Sequence, residues 1–195
     1  KKMNDKINMD KKHLLIIHPN FCIRAKKQAE SLIENSNYKI SIITDLDNKT
    51  PQLSNYILEN TKIISFNFHN NFFHRIKFKK MLKKQFSNVD IIHCHNEPNY
   101  HVVDTIKVFS GKIPIIYDIH DLTTMRTGKK CLQEKFAYEN SDKIIHVSEK
   151  FIDYCNKLYK IKPSQVILSS PSKKYITIKN NTNINKIHYD FVYQG

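Results

Sequence analysis

Histidines and carboxylates gather in this chain where short apolar runs stop. The runs read DIIHCH, PIIYDIHD and DKIIHVS between Asp90 and Ser148, and their ends carry His95, Asn96, Glu97, His120, Asp121 and Ser148. Imidazoles and carboxylates in such a group suit proton transfer, hydrogen bonding to hydroxyls, or stabilisation of charge on a departing group. His93 and His95, two apart, share one face of an extended strand. With Glu97, His101 and His120 they also offer the donor types of a divalent-metal site. His93, however, lies within its run, where a hydrogen-bonded core histidine is the expected reading, and we expect no metal.

His120 is the leading candidate for chemistry, because a side chain leaving a strand end faces the crevice above a parallel sheet. Asp121 beside it is either a base or hydroxyl acceptor, or a helix cap. Arg24, at a helix start, is either an anchor for a phosphate or acceptor or a solvated charge. Glu97, Arg126 and Ser148 are further substrate-binding candidates, against the plainer readings of Arg126 as a loop charge and of Ser148 as the cap of the helix that begins at Glu149. His95 and Asn96, at a strand tip, are expected to contact an acceptor. His18 reaches the crevice mouth with no legible partner.

The elements that must position these groups alternate regularly. Strands are expected at Leu14–Ile17, Lys39–Thr44, Lys62–Phe66, from Asp90, after Pro114, through DKIIHVS and at QVIL. Helices fall at about Arg24–Asn35, Leu53–Leu58, Phe72–Ser87, His101–Phe109, Leu132–Asn140 and Glu149–Tyr159, with a looser section from Leu122 to Lys130. Continuous Ile-rich strands separated by helices predict an α/β fold, a Rossmann-like doubly wound parallel sheet. Residues 1–12 read as a polar lead-in and 13–168 as the domain. Residues 169–188 read as a linker and 189–195 as the first strand of a further domain.

The 195 residues carry 32 basic and 18 acidic side chains, for a formal charge of +14. Only Arg24, Arg75 and Arg126 are arginines, and the chain is crowded with Asn and Ile. This points to compositional bias rather than a polyanion site, and no nucleic-acid partner is expected. Four cysteines without CxxC spacing suggest free thiols in a reducing cytoplasm. No run approaches the ~20 apolar residues that cross a bilayer, and no leader pattern precedes the first strand. In the helix FFHRIKFKKMLKKQF, Phe78, Met81, Leu82 and Phe86 share one arc, and Lys77, Lys79, Lys80, Lys83 and Lys84 the other. The lysine arc is either solvated surface or a docking face for an anionic membrane. A cytoplasmic location, peripheral at the inner face of the membrane, follows as the expectation.

The order of these motifs resembles the N-terminal domain of a family 4 glycosyltransferase of the GT-B fold, over about Leu14 to Gly195. The arginine in FCIRAKKQAESL, then DIIHCHN, IPIIYDIHDL, EKFAYENSDKIIHVS and VILSSPS carry it, and FVYQG resembles the first strand of that family's nucleotide-binding domain. No glycine pair follows the first strand; Arg24 matches a sister group that has arginine there. Ser169 stands where the family's linker has asparagine. The resemblance implies a retaining hexosyltransferase whose acceptor-side half this is. Its co-substrate would be a nucleotide-sugar donor, with no tightly bound cofactor and a polysaccharide, glycoconjugate or lipid-linked acceptor. It places His120 beside the donor sugar. It also implies that this stretch, lacking the family's paired donor-binding glutamates, is inactive alone. Two other readings remain: a metal-dependent hydrolase using His93, His95 and His120, and a non-catalytic GT-B-like binding module.

Overall fold

The computed structural model describes residues 11–47 and 52–168. Its seven strands, all parallel, are β1 His13–Ile17, β2 Lys39–Thr44, β3 Lys62–Ser65, β4 Ile91–His95, β5 Ile115–Ile119, β6 Lys143–His146 and β7 Ser164–Val166. They lie in the order β3-β2-β1-β4-β5-β6-β7. The helices are α1 Ile23–Asn35, α2 Asn55–Asn60, α3 Phe72–Gln85, α4 Asn99–Phe109, α5 Thr123–Thr127, α6 Leu132–Asn140 and α7 Glu149–Leu158. The strand order reverses between β1 and β4, so the chain leaves their carboxyl ends in opposite directions. A crevice opens at that point.

Period-two alternation splits the core into two faces. Leu14, Ile16, Ile40 and Ile42 pack with Ala25 and Ala29 of α1 and Ile57 of α2. Leu15, Ile17, Ile92, Cys94, Ile115, Tyr117 and Ile119 pack on the other side against α3, α4 and α6. Alanines four apart let α1 approach the sheet closely, bringing its first turn over the crevice. β2 and α6 have the bounds their sequence predicts, and the other elements differ by a residue or two at their ends.

Three expectations meet a different outcome. The looser section holds a short helix, α5, because Glu134 of α6 reaches back to accept hydrogen bonds from the Thr123 and Thr124 amides at 2.5 and 3.3 Å. Gly128, at φ +66°, then ends that helix in a left-handed turn. Lys79 leaves the lysine arc: it is half-buried, with Nζ 4.0 Å from Asp104, whose carboxylate also takes a bidentate pair from Arg75. Ser148 occupies the N-cap position of α7, but its side chain makes no capping hydrogen bond. The expected lead-in up to Asp10, linker and final strand lie outside the described residues.

Candidate functional site

The same alternation that sorts the core gathers the polar groups. Ile92, Cys94, Tyr117 and Ile119 face α4, so His93, His95, Asp118 and His120 turn to the α1 side, where His18 follows β1. Register pairs His95 with Asp118 across β4 and β5. From above, α1 lowers Cys22, Arg24 and Gln28 onto this row.

Asp118 is the centre of the row and is fully buried. Its Oδ2 accepts from Gln28 Nε2 at 2.8 Å and from His93 Nε2 at 3.1 Å. Its Oδ1 lies 3.3 Å from Arg24 Nη2 and 3.4 Å from His120 Nε2. Burial raises the carboxyl's proton affinity, but the hydrogen bonds from His120 and His93 outweigh it and hold Asp118 well below the usual carboxylate range. Arg24 also donates to the Ile167 carbonyl at 2.8 Å, and so ties α1 to the end of β7. It is a buried ion-pair partner rather than a solvated charge.

His120 sits at the crevice surface with 21% of its side chain exposed. Its Nε2 is 2.8 Å from His95 Nδ1, and its Nδ1 is 3.9 Å from Cys22 Sγ. Burial disfavours the charged ring, yet Asp118 and Cys22 reverse the balance and lift its pKa to about 9. These neighbours favour the imidazolium form of His120, with Nε2 between His95 Nδ1 and Asp118 Oδ1 and Nδ1 towards Cys22. Desolvation drives His95 and His18 the other way and keeps both neutral.

The remaining candidates separate into distinct roles. His95 and Asn96 are buried and lie behind the surface. Asn96 accepts from the His120 amide at 2.9 Å and donates to the Asp121 carbonyl, clamping the turn after β5. Asp121 points away from His120: its carboxylate lies 3.0 Å from Arg126 Nη1, which also meets Glu97 at 2.6 Å. Glu97 and Arg126 line a cleft of about 390 Å³ together with Asn20, Asn99 and Gln133, and Asp121 joins its rim through Arg126. Sequence reasoning missed Asp118, Cys22 and Gln28. Asp118 was within reach, because it stands two residues before His120 on the same face of the same strand.

Two sets of potential metal donors converge within 4.8 Å: His18, His95 and His120, and His93, His95 and Asp118. The ring geometry does not suit a cation. His95 stacks on His18 and on His93, with centroids 4.6 Å apart and interplanar angles of 18° and 14°. Lone pairs of parallel rings run side by side and do not meet at one point, as a metal requires. With Asp118 already bonded to four side chains, the cluster is better described as a proton-carrying network.

Comparison with known proteins defines the class. The fold matches a glycosyltransferase from Rickettsia africae at TM-score 0.58 and 16% identity, over 90% of this chain and 47% of the other. It also matches MurG of Acinetobacter baumannii at TM-score 0.54 and 12% identity, over 88% and 50% of the two chains. Both share the GT-B architecture, and this chain spans about half the length of each. The model of Glycosyltransferase Family 4 matches residues 27–169, so the chain belongs to that family. No curated protein sequence matches it.

The charge state of His120 is open to direct measurement. In NMR titration its ring should turn over near the pKa of about 9 set by its neighbours, and Asp118→Asn should lower that midpoint by about one unit or more. A wild-type midpoint near 6.5, or one indifferent to Asp118→Asn, would contradict the pairing.

Proposed function

We propose that this domain is the acceptor-side half of a retaining glycosyltransferase that moves a hexose from a nucleotide-sugar donor to a polysaccharide, glycoconjugate or lipid-linked acceptor. Family membership supports the donor class and the stereochemistry, and the observation that carries the site is the His120 imidazolium at the crevice surface, backed by buried Asp118. As the bond to the departing phosphate lengthens, the sugar gains positive charge and the phosphate negative charge. A fixed cation beside that bond stabilises the leaving group without reorganising at the moment of reaction. The contact from His120 Nδ1 to Cys22 is its loosest, at 3.9 Å, so an entering phosphate or sugar oxygen would take the place of the sulfur at that proton. The rim of Glu97, Asp121 and Arg126 lies on the acceptor side, where carboxylates accept from sugar hydroxyls. Ser148, which follows β6, is a further candidate substrate contact. Donor nucleotide is read mainly by groups of a second domain, and this stretch alone turns over no sugar.

In the complete enzyme, His120→Ala should lower kcat/KM by ~10² or more, the scale of losing one electrostatic contact to the transition state. Its melting temperature should fall less than that of His93→Ala, because His120 is at the crevice surface, where water can take the lost donor's place. His93→Ala should instead chiefly destabilise, because it removes a buried donor from Asp118. Near-normal turnover in His120→Ala, or loss of turnover only through unfolding, would remove His120 from the chemistry.

A peripheral membrane position is supported by α3. Phe73, Lys77, Lys80 and Lys84 recur along one side of the helix, Lys83 flanks them, and Phe72 and Phe73 are 72% and 77% exposed. Exposed aromatics beside lysines fit an interface of anionic headgroups, at about 1 kcal/mol per lysine. No helix among the described residues is long and apolar enough to cross a membrane. The protein should cosediment with phosphatidylserine-containing vesicles and not with neutral ones, and changing these four lysines to glutamine should abolish the difference. Equal sedimentation with both vesicle types would contradict docking.

A further inference from the structure

The transfer chemistry leaves one nucleophile unused. Cys22 is the N-cap residue of α1 and is half-buried at the crevice mouth. Its Sγ lies 3.3 Å from His18 Nε2 and 3.9 Å from His120 Nδ1, and His120 is backed in turn by Asp118 at 3.4 Å. Thiol, imidazole and carboxylate in this order form the arrangement in which a base takes the thiol's proton and a buried acid holds the resulting cation. The start of α1 adds the partial positive charge of its free amides at the sulfur. The other titratable and charged groups around the pair are His95 on β4 and Arg24 on α1.

We propose that Cys22 is a thiolate ion-paired with the His120 imidazolium, and that it is a modification site for small electrophiles and hydroperoxides. With a hydroperoxide, the sulfur attacks the terminal oxygen. An S–O bond forms, the O–O bond breaks, and the departing alkoxide leaves as the alcohol with the proton of His120. The thiolate is oxidised by two electrons to a sulfenic acid and the peroxide is reduced. His120 loses its proton and its anionic neighbour together, so the modification acts on the group assigned to the sugar. This inference goes beyond the transfer reading, and its readout needs no transfer.

The chain supplies its own controls. Burial pushes the Cys22 thiol up, but hydrogen bonds from His120 and His18 outweigh it and bring its pKa down to about 5. Cys94 and Cys155 are buried, and burial pushes both thiols up to about 12. Cys131 is half-buried, away from the histidine row. At pH ~6 the thiolate fraction of Cys22 exceeds that of an ordinary thiol ~300-fold, and the weaker nucleophilicity of an acidic thiol offsets ~30–60-fold of this. A rate advantage of ~5–10-fold remains.

The test is iodoacetamide labelling of the full chain, resolved by peptide mass spectrometry from about pH 4 to 9. Cys22 should label fastest of the cysteines at pH ~6 and level off above it, while a cysteine-containing model peptide in the same buffers climbs through pH ~8. His120→Asn should return the Cys22 profile towards that of the peptide. Under hydrogen peroxide and dimedone, the adduct should form on the Cys22 peptide and vanish in Cys22→Ser. A Cys22 profile that climbs in parallel with the model peptide overturns the proposal on the wild-type chain alone. So does a levelled profile that survives in His120→Asn, or a dimedone adduct that forms first on Cys131.

Discussion

A carboxylate cut off from water has to be surrounded by donors, and the crevice of this domain is arranged around that requirement at Asp118. Leaving such a group unpaired costs several kcal/mol. Arg24 and Gln28 come from α1, His93 from β4 and His120 from the end of β5. Satisfying one carboxylate therefore fixes the height of α1 over the sheet, the rotamers of two histidines, and the closure of β7 through the second hydrogen bond of Arg24. The packing of Ala25 and Ala29 permits the approach, and Asp118 decides where it stops.

The charge on Asp118 propagates outward through hydrogen bonds. It stabilises a proton on His120, and that cation favours a thiolate at Cys22, whereas His95 and His18, stacked within the same row, stay neutral because burial dominates there. Neighbouring imidazoles in opposite protonation states are what a site needs to present one fixed cation without mutual repulsion. In the proposed transfer reaction this cation would act at a departing phosphate. The rim of Glu97, Asp121 and Arg126 is electrically distinct, with two carboxylates around one guanidinium. In the proposed reaction the cation would meet the phosphate and the rim the acceptor hydroxyls.

Much of the fold was legible because continuous Ile-rich runs and helical spacing leave few alternatives, and β2 and α6 have the bounds their patterns predict. The helix α5 was not legible, since its cap comes from Glu134, which no local pattern links to Thr123. In YDIHD the sequence offers two acids: strand alternation already puts Asp118 on the face of His120, whereas only the fold shows that Asp121 turns to Arg126. His120 and Arg24 stand at the strand end and helix start at which the sequence pattern puts them. Cys22 gave no signal, because a single cysteine acquires meaning only from the histidines that the fold brings to it. Lys79 fell out of the basic arc for a similar reason: Asp104, on the neighbouring helix, draws it inward.

The claim that Asp118 holds α1 to the sheet is tested most directly by a double-mutant cycle with Arg24, whose Nη2 lies 3.3 Å from its Oδ1 with side-chain exposures of 10% and 0%. Asp118→Asn, Arg24→Met and the double variant would be compared by equilibrium denaturation. Strong non-additivity is expected, with a coupling on the order of 2 kcal/mol, because either single change leaves the other charge buried and underpaired. Additivity within ~0.5 kcal/mol would show that the two groups act independently, and that the crevice is organised by something other than Asp118.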